Sequence, residues 1–344
     1  MYQASEHYAA LYRNLCPRFS WRDGADFPVW RQGLHAALVE ALGLSAMAQD
    51  LAEHQPRAEH IDTETCDGFV RERWILWVEP TVPLPFYLLK PPGAGDRPLP
   101  LVLTPHGHNH PHIYAGVTTS EDERQSMQEG QRDIAVQAAR EGYLAIAPTT
   151  RAFGATRTEA DLAENRLSSC RIALLHGLLV GRTAIGERVW DMQRLLDWAL
   201  TALSVDARRV AITGNSGGGT VSLYAAAVEP RFTVTAPSCY FCTFAGSIGS
   251  INHCDCNYVP GIMRLGEMAD IAGLCAPRPF RVIAGLKDEI FPIAEVRRSF
   301  AHLQRIYDGA GVPDACSLFE GEGGHRYYSA GAWPFIRSAF AAMG

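Results

Sequence analysis

Gly214-Asn215-Ser216-Gly217-Gly218 is the segment whose residue types point most directly to chemistry. It stands between VAIT, an apolar run of strand character, and GGTVSLYAAAV, which reads as a helix. A G-x-S-x-G segment in a strand-to-helix turn lifts a serine hydroxyl above the edge of a sheet, because small residues on either side let the backbone turn without clashes. The helix N-terminus then lies beside the negative charge that forms when the hydroxyl attacks a carbonyl. A serine is a poor nucleophile without a base. Asp288 follows the strand-like FRVIA, and His325, after Gly323-Gly324, follows the strand-like ACSLFE. Taken alone, each reads as an ordinary loop residue. In this order, and each after a strand, they read as a relay: Ser216 attacks, His325 takes its proton, and Asp288 holds the imidazole tautomer. Glu289 is the nearest rival acid and Asp255 a remoter one.

The oxyanion of such a reaction needs two preorganised donors. The Gly217 N–H is one. The other is expected from His106-Gly107-His108-Asn109, the loop after LPLVLTP, with His108 first and Gly107 next. His106, Asn109, Arg151, Arg182 and His253 are candidate substrate contacts. Arg151, after a strand, is placed to reach the pocket; for Arg182, in one segment with Asp191, a buried ion pair is the competing reading. Two groups raise the question of a metal. His106, His108, His110 and His112 alternate, and H-x-H is a ligand spacing; Gly and Pro between them do not hold them on one face, and no carboxylate motif accompanies them. Cys239-x2-Cys242 and Cys254-x-Cys256 supply enough thiols for a tetrahedral shell, but C-x-C is an unusual half-site for structural zinc. The expectation is reduced, mostly buried thiols beside the pocket, with no metal and no cofactor.

The elements that position these groups alternate. The first 60 residues read as helical, with Leu34, Leu38 and Leu42 at helical spacing and Gly43 marking an end. Strands are expected over 69–78 and 84–90. From residue 99 short apolar strands alternate with amphipathic helices, one of them over 125–141. That pattern implies an α/β fold with a mostly parallel sheet covered on both faces. Residues 1–60 are read as an N-terminal helical extension and 61–344 as the catalytic domain. Two long segments, about 151–181 and 238–266, leave strands at the edge where ligands bind in such sheets.

Composition narrows the partners. The 344 residues are 47% hydrophobic and 20% charged, with a formal net charge of -6. This excludes a disordered chain and argues against nucleic-acid binding. No run approaches the roughly 18 apolar residues of a membrane span, and the N-terminus does not read as a secretory signal. Nine cysteines, an odd number, suit reduced thiols in the cytoplasm. The expected partner is a small-molecule ester; the oligomeric state stays open.

HGHN, GRTAIGERVWD, GNSGGG, INHCDCNYVPGI, DIAGLCAPRPF, GLKDEIFP and GEGGHR together resemble the acetyl xylan esterase-like branch of the α/β-hydrolases, related to dienelactone hydrolases. The resemblance covers roughly residues 60–340. It implies an α/β-hydrolase fold, a triad on Ser216, Asp288 and His325, and hydrolysis of carboxylic esters, often acetyl groups on sugars. The same machinery also serves serine peptidases and lactone hydrolases. A non-catalytic binding protein on this fold and a metal-dependent hydrolase using the histidine-rich loop are the readings from other classes.

Overall fold

Apolar strand runs bounded by Gly and Pro need partners on both sides. In the computed structural model, which describes residues 3–95 and 97–344, they find them in one nine-stranded sheet. Helices α1 (Ala4–Arg13), α2 (Phe27–Ala41) and α3 (Leu44–Asp50) come first. An antiparallel meander follows: β1 (Arg57–Cys66), β2 (Phe69–Glu79) and β3 (Val82–Lys90). The alternating part runs β4 (Leu99–Leu103), α4 (Glu121–Gly130), α5 (Ile134–Arg140), β5 (Leu144–Pro148), α6 (Glu159–Ala163), α7 (Cys170–Leu179) and α8 (Ala184–Ala202). It continues through β6 (Val205–Asn215), α9 (Gly217–Val228), β7 (Val234–Ser238), α10 (Ile262–Leu265) and α11 (Met268–Gly273). The chain ends with β8 (Phe280–Gly285), α12 (Ile293–Gly309), β9 (Cys316–Gly321) and α13 (Ser329–Ala342).

The strand order is β1-β2-β3-β5-β4-β6-β7-β8-β9, parallel from β5 to β9. Alternate residues of each parallel strand enter different cores. Leu101, Leu103, Val210, Ile212 and Val282 join one face, with α2, α8, α9, α11 and α12. Val102, Ala211 and Ile283 join the other, with α5 and α13. Both faces are therefore dry, which is why these strands read as continuous apolar runs rather than as alternating ones.

Three expectations change. The helical reading of residues 1–60 ends too late: the chain is already extended at Arg57. Strand β1 lies at the sheet edge and is mostly exposed, so RAEHIDTETC carries no apolar signal. The helix expected over 125–141 is two helices. Ser120 caps α4, its hydroxyl accepting the Glu123 N–H at 3.2 Å, and Gln131 turns left-handed at φ 49° before α5 begins. The N-terminal helices also do not stand apart: Leu34, Leu38, Leu42 and Met47 are fully buried in the core that holds α9 and β4. Among the described residues, no helix is long and apolar enough to cross a membrane.

Candidate active site

Ser216 follows β6 directly and immediately precedes α9 as its N-cap, at φ 57° and ψ −120°. This is a sparsely populated backbone region for a residue with a side chain, costing about 1–3 kcal/mol. The surroundings impose it. A Cβ at Gly214 or Gly218 would collide with the Pro105 carbonyl, and one at Gly219 would lie 2.7 Å from the Ser238 carbonyl. These glycines let β6, β7 and the loop after β4 converge beneath the serine. The Ser216 N–H donates to the Ser238 carbonyl at 2.9 Å, and the residue is only partly buried.

Parallel register brings the other groups to the same edge. Asn215 pairs with Ser238, Ser238 with Ile283, and Gly285 with Gly321. Asp288 therefore leaves β8, and His325 leaves β9, at the same end of the sheet as Ser216, two and three strands from β6. The His325 Nδ1 and Asp288 Oδ2 lie 2.8 Å apart. The other carboxylate oxygen accepts N–H bonds from Ile290 at 2.9 Å and Phe291 at 3.2 Å. Burial works against the Asp288 charge, but His325 and these two N–H groups hold the carboxyl below its ordinary value. The Ser238 hydroxyl donates to the carbonyl of Arg326, next to His325, so Ser238 links the serine and histidine segments. Glu289 and Asp255 make no bond to His325 among the described residues; Asp255 pairs with Arg171 instead.

The loop after β4 lies against the elbow. A Cβ on Gly107 would sit 3.2 Å from Ser216 Cβ, and one on Gly217 would touch the His108 ring at 3.4 Å. Of the two expected second donors, Gly107 is engaged: its N–H donates to the Tyr114 hydroxyl at 3.1 Å, which in turn donates to Asn109 Oδ1 at 3.4 Å. The N–H groups of His108 and Gly217 have no partner among the described residues.

The expected substrate contacts separate. His106 is 1% exposed and cannot meet a ligand. Its Nε2 accepts the Thr150 N–H at 2.9 Å, so its Nδ1 donates to the Gly107 carbonyl at 2.6 Å. Burial lowers this imidazole to about 3. Its work is to hold the loop. Arg151 is also buried, clamped bidentate on Asp191 (2.7–3.0 Å) and on Glu79 at 2.5 Å. Arg182 reaches Glu79 at 2.8 Å. Burial opposes the Glu79 charge, yet these two guanidinium groups hold its carboxyl below the ordinary value. Both arginines are thus in the buried ion-pair arrangement rather than free for a substrate. Asn109 stays partly exposed beside the loop. His253 packs edge-on to Phe291 at 5.9 Å, and Phe291 stacks on His325 at 5.9 Å. The buried His253 Nδ1 has no partner among the described residues, and burial lowers the ring to about 4.

Cys239 was grouped by spacing with the other thiols, but it lies at the Asp288–His325 pair. Its thiol donates to the Arg326 carbonyl at 3.2 Å, and burial beside Asp288 pushes it up to about 12. Cys242 is buried elsewhere in the large core. The four-thiol shell considered from spacing is therefore not assembled. Cys254 and Cys256 instead meet Cys170 and His108. The alternating histidines diverge: His106 faces Thr150, His108 faces thiols, and His110 and His112 stack on each other near Glu123.

The chain belongs to the Abhydrolase family: the family model Abhydrolase_7 matches residues 9–320. A crystal structure from Bacteroides fragilis, provisionally named an acetyl xylan esterase, superposes with a TM-score of 0.77 at 18% identity, covering 94% of this chain and 83% of that one. A glucuronoyl esterase from Solibacter usitatus gives 0.66 at 15% identity, covering 94% and 95%. These likenesses establish the α/β-hydrolase fold. In sequence, a Bacillus subtilis (strain 168) protein provisionally named hydrolase YtaP is 27% identical over 151 residues, 43% of this chain. The match spans half the length of that relative.

Proposed function

We propose that the protein is a serine carboxylic-ester hydrolase that removes acetyl or other short acyl groups from a carbohydrate or similar small ester. The observation that carries this reading is the combination at one sheet edge: a strained, partly exposed Ser216, an Asp288–His325 pair at 2.8 Å, and two unengaged N–H groups on Gly217 and His108. With Nδ1 held by Asp288, Nε2 of His325 is the nitrogen left to take the Ser216 proton. The serine oxygen then attacks the acyl carbon, and the carbonyl electron pair moves onto its oxygen, facing the two N–H groups. Collapse of this adduct breaks the bond to the alcohol, which leaves with the proton from His325. Water repeats the sequence on the acyl-enzyme: His325 takes its proton, and the carboxylic acid and free serine are released. The imidazolium formed in each half-reaction is stabilised by the Asp288 carboxylate.

The choice of a short acyl group on a carbohydrate draws on the named substrates of the structural neighbours. Nine unbridged cysteines suit a reducing compartment, so the reading places the enzyme in the cytoplasm. The test is Ser216→Ala against p-nitrophenyl acetate. Turnover is expected to fall by at least about 10³-fold with the melting temperature little changed, and a fluorophosphonate probe should label the wild type alone. Undiminished turnover in the variant sinks the assignment. A panel of acetylated sugars, lactones and peptides then ranks the substrate, with acetylated sugars expected to lead.

A further inference from the structure

Three thiols and one imidazole from distant segments converge outside the serine–histidine–aspartate group. His108 comes from the loop after β4, Cys170 opens α7, and Cys254 and Cys256 lie in the long segment after β7. Their ligand atoms all lie within 4.8 Å of one another. Cys254 Sγ and Cys256 Sγ are 3.3 Å apart; His108 Nε2 lies 3.5 Å from Cys256 Sγ and 3.9 Å from Cys170 Sγ. A tetrahedral ion with sulfur at about 2.3 Å and nitrogen at about 2.0–2.1 Å has ligand–ligand edges of roughly 3.5–3.8 Å. The three separations above bracket that range, and no pair of the four atoms is more than 4.8 Å apart.

A second observation is independent of this geometry. Arg188 is 3% exposed, yet none of the ion pairs among the described residues gives it a carboxylate. Its guanidinium donates to the Arg151 carbonyl at 3.1 Å and to Cys170 Sγ at 3.4 Å, while its Nε has no partner. A guanidinium stays charged in a protein interior and needs an opposite charge there. Neutral thiols do not supply one. A divalent cation bound to three thiolates and a neutral imidazole carries a net charge of about −1, which is the countercharge Arg188 lacks. The Asn257 side-chain amide also donates to Cys256 Sγ at 3.6 Å, a contact of the kind that supports a metal-bound thiolate. Around the group, Ala152, Phe153, Ala173 and Ala184 form an apolar shell that limits water.

We propose that His108, Cys170, Cys254 and Cys256 bind one thiophilic divalent cation, zinc by its preference for thiolate and imidazole in tetrahedral geometry. Binding releases three thiol protons. Four protein ligands close the shell, so the ion is structural rather than a reaction centre. It joins the loop carrying the His108 N–H to both long segments, and so holds that loop in place beside the elbow.

The experiment reads metal content in the full-length chain, with no substrate present. Protein purified without chelator should contain one zinc per chain after dialysis. Cobalt added to the zinc-stripped chain should give thiolate charge-transfer absorption and the intense visible bands of a tetrahedral site, saturating at one equivalent. Cys170→Ser and Cys256→Ser should hold less than about a tenth of an equivalent after the same dialysis. Cys242→Ser, outside the cluster, should keep its full complement. A folded wild-type chain that holds no zinc and takes up neither zinc nor cobalt overturns the proposal. So does a Cys254–Cys256 disulfide in the unreduced native protein, or equal loss of metal from Cys242→Ser. The wild-type measurements decide even where a variant fails to fold. Loss of the esterase reading would leave the metal content unchanged.

Discussion

Arg151 illustrates how burial decides what a charged side chain does. Its guanidinium neutralises Asp191 and Glu79 beneath the loop after β5. Removing it leaves two carboxylates without that partner, a change that typically costs about 3–5 kcal/mol. Arg151→Ala is therefore expected to lower the urea midpoint sharply while leaving KM of the folded fraction near that of the wild type. An unchanged midpoint with a raised KM would return Arg151 to the substrate. His106 makes the complementary case, a histidine kept neutral. Burial lowers it to about 3, whereas in the unfolded chain it titrates near ~6.5. Between those values the unfolded chain binds a proton that the folded chain refuses. Stability is thus level above about pH 6.5 and falls as the pH drops toward about 3, by as much as several kcal/mol. His106→Gln should flatten this acid limb, which urea titrations at pH 7 and pH 4.5 will measure. A wild type and variant with parallel acid limbs would contradict the assignment. Cys239 and Cys242 stand three residues apart in sequence, yet one lies at Asp288 and the other in the core, because Cys239 turns left-handed at φ 50° and the chain then leaves the sheet edge.

At the scale of elements, the site depends on backbones approaching closely where a side chain would not fit. Helices α8 and α2 show this away from the elbow. Gly186, in the first turn of α8, faces the Leu42 carbonyl at the end of α2, and a Cβ there would collide with it. The Thr183 hydroxyl caps α8 by accepting the Gly186 N–H at 2.9 Å, and donates to the same Leu42 carbonyl at 3.0 Å. Gly186→Ala gains about 0.5–1 kcal/mol in helix propensity, but the clash outweighs it. The expected result is a net loss of about 1–3 kcal/mol, seen as a lower melting temperature with no change in substrate preference. A rise in melting temperature would show that α2 can shift to make room. Most elements were legible because short apolar strands and capped helices carry their own periodicity. The exceptions were β1, whose exposed edge position requires no apolar face, the α4–α5 break, where an ordinary glutamine adopts a left-handed turn, and the helices α6, α7, α10 and α11, which lie in or just after the two long segments read without elements.

For the molecule as a whole, the N-terminal helices belong to the same core as the sheet. Trp30, Leu34, Leu38, Leu42, Leu44 and Met47 are all buried there, and the Trp21 N–H donates to Asp270 at 2.9 Å. Each such apolar side chain contributes about 1.5–3 kcal/mol on burial, and together they rival the whole stability of a typical domain, about 5–15 kcal/mol. A chain lacking residues 1–56 is expected to lose its cooperative unfolding transition and to aggregate on expression; a soluble chain of that length that unfolds cooperatively would show that α1–α3 are an accessory. What the sequence determined by itself was local: the alternation of strands and helices, the glycine-flanked serine turn, and the acid and histidine placed after successive strands. Each of these is set by steric and hydrogen-bonding rules that act over a few residues. What only the tertiary structure decided was which distant groups share an environment. It put Arg151 and Arg182 into ion pairs, Cys239 beside Asp288, and His108 next to thiols 62 and 148 residues further along the chain. Spacing cannot report such meetings, because they are fixed by how separate segments pack and by the need to pair buried charges and polar groups.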